Sequence, residues 1–168
     1  KKFISGNQCE KGLGKATAGE QLPNLYEFKR NYLTSLKSEE GARGTVGMPL
    51  ALGMYELLPL WHAVFTRLGF NVKVSPMSTR RIYEKGQFSI PSDTACYPAK
   101  IMHGHIETLI TDGVDAIFYP CLTYNMDEKM TDNHYNCPVV AYYSELLNGN
   151  VEELKRVKFL YLSLIHIS

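Results

Sequence analysis

From Gly44 onward, the chain alternates between short apolar runs and longer segments whose apolar residues recur at helical spacing. Short apolar runs bounded by turn residues predict strands, and apolar residues three or four positions apart predict helices. The predicted strands are GTVGMPLAL, NVKVSP, VDAIFYP, PVVAYY and VKFLYL. The predicted helices are MYELLPLWHAVFTRLG, STRRIYEKG, CYPAKIMHGHIETLITDG and SELLNGNVEELKR. This alternation predicts an α/β fold with an open, mostly parallel sheet and flanking helices, in a Rossmann-like arrangement of three layers.

The ends of three helices are marked by turn and capping residues. Gly69 follows the first long helix, and Asp112 with Gly113 closes the segment that starts near Cys96. The short helix STRRIYEKG is capped by Ser78 or Thr79 and ends at Gly86. In parallel α/β sheets, ligands bind beyond the carboxyl ends of the strands, so these ends are where a site is expected.

The chain separates into three parts by composition. Residues 1–43 are rich in glycine and polar side chains, with a short helix predicted from about Asn24, and this part is typical of a connector. Residues 44–161 carry the α/β pattern. The last seven residues, LSLIHIS at 162–168, correspond to a translation of a transposon adapter end used in sequencing libraries, and we expect them to be an artefact. The natural protein is then expected to continue past about Tyr161, and this chain to be a fragment truncated at the C-terminus of the domain.

Composition and charge exclude several classes of partner. Hydrophobic residues make up 45% and charged residues 21% of the 168 positions, and the net charge is +1. A balance near zero gives no electrostatic basis for binding nucleic acid or an anionic membrane. No apolar run approaches the length of a transmembrane helix, and KKFISGNQCEKG lacks a signal peptide's apolar stretch, so a cytoplasmic location is expected.

Four cysteines are present, and three of them fall at the ends of predicted elements. Cys96 precedes Tyr97-Pro98 at a helix start, where the helix dipole and free N–H groups favour negative charge. Cys121 directly follows the strand AIFYP, and Cys137 precedes PVVAYY, at the amino end of the next strand or on the loop before it. The cysteines lack a Cys-x-x-Cys pair, so spacing alone leaves open both a shared metal or cluster and buried inert thiols.

Catalysis by a nucleophilic cysteine is the other chemistry considered for this helix. Cys96, Lys100 and His103 share one helix face, since they lie four and seven residues apart. His103 is then about 10 Å along the axis from Cys96, too far to act as its base. His105 faces another direction. The sequence assigns no role to either histidine.

Several segments together resemble one known family. They are GTVGMPLALGMYELLPLWHAVFTRLGFNVKVSPMSTRRIYEKG, IPSDTACYPAKIMHGHIETLITDGVDAIFYPCLTY and DNHYNCPVV, of which Cys-Tyr-Pro-Ala-Lys and His-Gly-His-Ile are the most specific elements. The family is the domain of unknown function that follows the ATPase modules in large proteins related to the activators of 2-hydroxyacyl-CoA dehydratases. SGNQCEKG with LPNLYEFKRNYL resembles the connector ahead of that domain, so the resemblance covers nearly all of residues 4–161.

The resemblance implies an electron-transfer function. The domain is similar to the subunits of 2-hydroxyglutaryl-CoA dehydratase and benzoyl-CoA reductase, α/β proteins that hold an iron–sulfur cluster through cysteines in oxygen-sensitive metabolism. On that analogy Cys96 and Cys121 match cluster ligands, Cys137 is a candidate third ligand, and Cys9 in the connector is the weakest candidate. The implied cofactor is a [4Fe-4S] cluster.

The implied partners follow from the same resemblance. They are the ATPase module of the same full-length protein and a dehydratase or reductase acting on acyl-CoA. ATP would enter only through that absent module, so this chain alone is not expected to hydrolyse it. The alternatives are a docking or regulatory domain without a cluster and, more weakly, direct dehydration of a 2-hydroxyacyl-CoA.

Overall fold

The computed structural model describes residues 23–38 and 40–162. The chain divides into two units, Lys1–Thr34 and Ser35–Ser168. In the first unit the described part is helix α1, Leu25–Ser35, whose last residue belongs to the second unit. The Asn24 side chain accepts a hydrogen bond from the Glu27 N–H at 3.1 Å, which satisfies one of the free donors of the first turn. The helix predicted from about Asn24 is therefore present.

The second unit is built on a parallel sheet of four strands. The strands are β1, Thr45–Met48; β2, Asn71–Val74; β3, Ala116–Phe118; and β4, Lys158–Leu160. Their order across the sheet is β2-β1-β3-β4, and every pair of neighbours runs parallel. The predicted α/β class with an open parallel sheet is confirmed.

Four helices and two 3-10 turns connect these strands. The helices are α2, Met54–Arg67; α3, Arg80–Gly86; α4, Tyr97–Thr111; and α5, Pro138–Asn150; the turns are Gln87–Ser89 and Glu152–Arg156. Of the two caps considered for α3, Thr79 is the one used, because its Oγ1 accepts from the Ile82 N–H. Gly69 and Gly113 adopt φ of +81° and +73° after α2 and α4, a backbone region that favours glycine. Both were the predicted helix stops.

The sheet carries helices on both faces. The Phe118 ring of β3 packs on α2, with ring centroids 4.7 Å from Trp61 and 4.9 Å from Phe65. On the opposite face, the Gly47 position of β1 faces Leu109 of α4, which lies within van der Waals distance. Residues next to each other along a strand point to opposite faces, so α2 covers one side and α4 the other. The core is thus a three-layer α/β/α arrangement.

Helices α3 and α4 approach each other at two glycines. A Cβ on Gly104 of α4 would overlap the Ile82 carbonyl of α3, and a Cβ on Gly86 would overlap the Gly104 backbone. Any larger residue at either position would force the two helices apart. This contact fixes α4, and therefore the residues at its start, against the rest of the fold.

One predicted element is wrong. PVVAYY was predicted as a strand, but it forms the first half of α5, with Pro138 in the first turn. Consecutive β-branched and aromatic residues have high strand propensity, yet tertiary packing overrides propensity, and the proline at the helix start is compatible with both readings. Cys137 is therefore the N-cap of a helix and does not lie at the amino end of a strand.

The carboxyl edge of the sheet contains the point where the connections change direction. From β1 the chain crosses through α2 to β2 on one side, and from β3 it crosses through α5 to β4 on the other. Ligands in open α/β sheets bind in the crevice at such a switch point, here between β1 and β3. Helices α4 and α5 lead into β3 and β4, so both begin at this edge.

Candidate functional site

Three cysteines lie at the carboxyl edge of the sheet. Cys121 follows β3 and is buried, whereas Cys96 and Cys137 are the exposed N-caps of α4 and α5. All three are free thiols. With Tyr119 and Tyr143, which lie beside them, they form what we call the cysteine–tyrosine cluster. Its members come from one strand end and two helices.

The two N-cap cysteines have almost the same backbone conformation. Cys96 has φ and ψ of −64° and 154°, and Cys137 has −61° and 152°. Each carbonyl accepts the first helical hydrogen bond, at 3.0 Å, from Lys100 and from Ala141 respectively. Each helix continues with a proline in its first turn, whose missing N–H is not needed there. The two sites therefore present a thiol in the same way at the start of a helix.

Tyr119 and Cys121 face the α4–α5 side of the sheet. The Tyr119 and Cys121 N–H groups donate to the carbonyls of Leu160 and Leu162, which extends the β3–β4 pairing past the named strands. Alternation along this extended segment places the side chains of Ile117, Tyr119 and Cys121 on one face. The Cys121 Sγ then lies 2.8 Å from the Ser144 Oγ of α5.

The hydroxyl of Tyr119 is fully buried and has no hydrogen-bond partner among the described residues. Burial raises the pKa of this phenol, and negative charge on Cys121, Tyr143 and Cys137 raises it further. The phenol is therefore protonated at neutral pH, and its hydrogen is available to an acceptor that enters the cluster. Buried polar groups without a partner are rare in folded proteins, which makes this one a functional candidate.

Tyr143 is held by His103 through a short chain of hydrogen bonds. The Ser89 hydroxyl donates to the Gly86 carbonyl, so its oxygen accepts from His103 Nδ1 at 2.9 Å. His103 Nε2 then carries no hydrogen and accepts from the Tyr143 hydroxyl at 3.0 Å. Burial lowers the pKa of His103 to about 4, so the imidazole stays neutral at pH 7.

The Tyr143 hydroxyl also lies within electrostatic range of a thiol. Burial raises the pKa of Tyr143 to about 12, and negative charge on Cys96 adds to the shift. Tyr143 gives its only hydrogen to His103, so it offers lone pairs, but no donor, to a group bound at Cys96. Of the two tyrosines of the cysteine–tyrosine cluster, Tyr119 is thus the one whose hydroxyl has a hydrogen to give.

Cysteine thiols are the residue type that binds an iron–sulfur cluster, but the present arrangement of the three described cysteines does not form a ready ligand group. Thiolates are the ligands of iron–sulfur clusters, and the unpaired Tyr119 hydroxyl suits a sulfur acceptor. In the part of the chain that the structure describes, however, there is no group of three His, Cys, Asp or Glu side chains that could hold a metal ion as they stand.

The other residues considered from sequence have separate surroundings. Lys100 donates to the Asp93 carbonyl at 2.7 Å, and His103 is bonded to Ser89 and Tyr143. Neither histidine ring of α4 is hydrogen-bonded to a cysteine within residues 40–162. Cys9 lies outside the described residues. The predicted separation of His103 from Cys96 thus agrees with the partners that the structure shows for this ring.

Sequence reasoning missed the two tyrosines and Ser144. Tyr119 could have been found, because period-two alternation after a buried strand places it on the same face as Cys121. Tyr143 and Ser144 could not, because PVVAYY was predicted as a strand.

Among the helices that the structure describes, none has both the length and the apolar character that crossing a bilayer requires.

Comparison with known proteins gives one match. Searches of curated proteins and of solved structures return no significant similarity. The family model described as the CoA enzyme activase uncharacterised domain matches residues 45–166, which include the whole sheet and the cysteine–tyrosine cluster. This confirms the resemblance found in the sequence to an activase-related domain of unknown function. The chain therefore belongs to the family of CoA enzyme activase uncharacterised domains.

Proposed function

We propose that this domain is the electron-transfer module of an ATP-dependent activator or reductase system that acts in 2-hydroxyacyl-CoA dehydration or related acyl-CoA reduction. In this proposal Cys96, Cys121 and Cys137 hold an iron–sulfur cluster of the [4Fe-4S] type. Membership of the activase-related family supports a role in such an activator system. The observation that carries the proposal is the buried, unpaired Tyr119 hydroxyl beside the thiols at one edge of the sheet.

Four of the five residues of the cysteine–tyrosine cluster have a task under this proposal. The three thiolates would bind iron, and a bound cluster would accept and release electrons. Tyr119 would donate its free hydrogen to a sulfur of the bound cluster, and such hydrogen bonds tune the reduction potential of iron–sulfur clusters. The starts of α4 and α5 place positive helix-dipole ends near the thiolates of Cys96 and Cys137, which stabilises their negative charge.

Two changes in the side chains would let the three cysteines bind iron. Cys96 and Cys137 are exposed, so their side chains can rotate without breaking core packing. Cys121 would exchange its contact with Ser144 for a bond to iron. A [4Fe-4S] cluster takes four thiolates in its usual form, so a fourth ligand would come from outside these three residues.

The partners are proposed from the family. An ATPase module in the same full-length protein would supply electrons, and an acyl-CoA dehydratase or reductase would receive them. The nucleotide would bind that module, so the domain itself would carry no ATPase activity.

A second candidate function is a docking or regulatory domain without a cluster. It is favoured by the same residues in their present positions, since the described part of the chain has no group ready to hold a metal ion. Under this alternative Cys121 is a core thiol bonded to Ser144, and Cys96 and Cys137 are N-caps.

Anaerobic reconstitution with iron and sulfide distinguishes the two functions. Iron and acid-labile sulfide are counted per chain, and visible absorption is recorded before and after reduction by dithionite. Electron transfer predicts a bleachable absorption band that is lost in Cys121→Ser and strongly reduced in Cys96→Ser and Cys137→Ser.

Cys9→Ser is the matched control, because Cys9 is the one cysteine of the sequence that this proposal does not assign to iron. Equal iron content in the wild type and in the Cys121→Ser variant would refute the site. A folded, iron-free wild type would favour the docking function.

A further inference from the structure

A cavity lies at the carboxyl edge of the sheet, and its lining shares no residue with the cysteine–tyrosine cluster. Its volume is about 280 Å³. It is bordered by the segment after β1, by Met77 and Ser78 after β2, and by Tyr97 and Pro98 in the first turn of α4. The lining that the structure describes contains no charged side chain, and aliphatic and aromatic groups dominate it. Pockets of this kind bind small molecules through an apolar wall and a few placed polar groups.

Three side chains of this wall carry a hydroxyl, those of Tyr55, Tyr97 and Ser78. Ser78 is exposed and ends a chain of hydrogen bonds that begins in the core. The Leu50 N–H donates to the Ser75 Oγ at 2.7 Å. Ser75 Oγ lies 2.7 Å from His105 Nδ1, and Ser78 Oγ lies 2.9 Å from His105 Nε2. Ser75 and His105 are buried, so water does not compete for the first two bonds, whereas Ser78 is exposed at the mouth of the chain.

The direction of the hydrogens along this chain follows from its first member. Ser75 Oγ must accept from the backbone N–H, so the only partner left for its own hydrogen within residues 40–162 is His105 Nδ1. His105 Nε2 then carries the ring hydrogen and donates it to Ser78 Oγ. The Ser78 hydroxyl therefore keeps its own hydrogen, which it can donate to water or to a ligand in the cavity that it lines.

The state of His105 argues for binding over nucleophilic catalysis at Ser78. Burial lowers the pKa of His105 to about 4, so the ring is neutral at pH 7 and is a weak base. A general base works best when its pKa lies near the operating pH. His105 is therefore suited to orient the Ser78 hydroxyl and poorly suited to remove its hydrogen.

Two further features belong to the same wall. Leu52 has φ of +48°, an uncommon conformation for a residue other than glycine, and such strain concentrates at ligand sites. The first turn of α4 also borders the cavity, and the free N–H groups of a helix start favour an acceptor atom.

We propose that this cavity binds a small, neutral carbonyl compound whose oxygen accepts a hydrogen bond from the Ser78 hydroxyl. The uncharged wall disfavours an ion, and the donor at Ser78 selects for an acceptor. At the roughly 30 Å³ that each water occupies in the liquid, the cavity holds a ligand of about nine non-hydrogen atoms. The rest of the ligand would contact Leu50, Met77 and Ile101.

Acetophenone labelled with ¹³C at the carbonyl is the probe, because its size and single acceptor match the cavity. Binding to the iron-free full chain is followed by the ¹³C signal of the bound ligand, which lies further downfield when the protein donates a hydrogen bond to the oxygen than when it does not. α-Methylstyrene, in which CH₂ replaces that oxygen, is the matched control ligand. We expect acetophenone to bind more tightly by roughly 2- to 13-fold, the ratio that a typical hydrogen bond gives.

Ser78→Ala tests the residue. We expect it to weaken the binding of acetophenone by the same factor, to move the bound ¹³C signal upfield of its wild-type position, and to leave the binding of α-methylstyrene unchanged. Ser92→Ala is the matched control variant, because Ser92 is an exposed serine outside the cavity wall.

Two results would overturn the proposal. One is an equal ¹³C shift in the wild type and Ser78→Ala; the other is the absence of saturable binding to a folded wild type. No iron is added, so either result leaves the test of the thiol site unaffected.

Discussion

Replacing Tyr119 by phenylalanine removes the hydroxyl group on which the proposed function rests. The hydroxyl is fully buried and unpaired within the described residues, so the folded protein bears the cost of removing it from water without a compensating bond. That cost is about 1–3 kcal/mol. Phenylalanine keeps the ring and its packing. The variant should therefore increase the free energy of unfolding of the iron-free protein, by about 1–3 kcal/mol.

Tyr143→Phe is the matched control, with the opposite expected sign. It removes the donor to His103 Nε2 and leaves a buried ring nitrogen unpaired, which costs about 1–3 kcal/mol. The two variants carry the same chemical change at neighbouring positions. They differ only in whether the hydroxyl has a partner.

Urea denaturation of both variants, followed by far-ultraviolet circular dichroism, gives the two free energies. For a chain of this length each kcal/mol also moves Tm by about 2–4 °C, upward for Tyr119→Phe and downward for Tyr143→Phe. In reconstituted protein the gain from Tyr119→Phe should disappear, because the hydroxyl then has a sulfur acceptor. If Tyr119→Phe destabilises the iron-free protein as much as Tyr143→Phe does, the Tyr119 hydroxyl has a partner and the reasoning fails.

Two further predictions concern the fold around α4. Gly104→Ala should destabilise the domain by about 1–3 kcal/mol or more, because its Cβ would meet the Ile82 carbonyl. Gly149→Ala in α5 is the control and should be neutral or stabilising, because nothing described lies within 4 Å of its Cβ position. Thermal denaturation of both variants checks this, and equal Tm values would contradict the close approach of α3 and α4. Stability should also fall as the pH drops from 6.5 toward 4, because His103 and His105 have pKa values of about 4 in the folded chain, and the unfolded chain binds protons there that the folded chain does not. The slope is at most about 1.4 kcal/mol per pH unit for each ring. Urea titrations at several pH values check this: His103→Gln should lose less stability than the wild type as the pH falls, because only His105 of the two rings remains, and an equal loss would refute the contribution of His103.

The sequence predicted the elements whose signals agree with one another. α4 combines a proline in the first turn, apolar residues at helical spacing and a glycine stop, and β3 is a short apolar run between turns. α5 gave conflicting signals, because strand-forming residues follow the same Cys–Pro start that opens a helix. That one error moved Cys137 to the wrong end of an element.

The candidate site was predictable only in part for the same reason. The positions of Cys96 and Cys121 at element ends follow from local patterns. The pairing of Tyr143 with His103 joins α5 to α4 across 40 residues, and no local pattern encodes such a contact. The unpaired state of Tyr119 depends on what surrounds it in space.

The two histidines of α4 also determine how that helix is oriented. They are two residues apart, so they project about 200° apart around the axis, one toward Ser89 and Tyr143 and the other toward Ser75 and Ser78. Apolar packing tolerates small rotations of a helix about its axis. Hydrogen bonds on two opposite sides do not, because they depend on distance and angle. Hydrogen bonds on opposite sides of α4 therefore restrict its rotation about its own axis. Cys96 on one flank and the wall of the Ser78 cavity on the other keep a fixed angular offset.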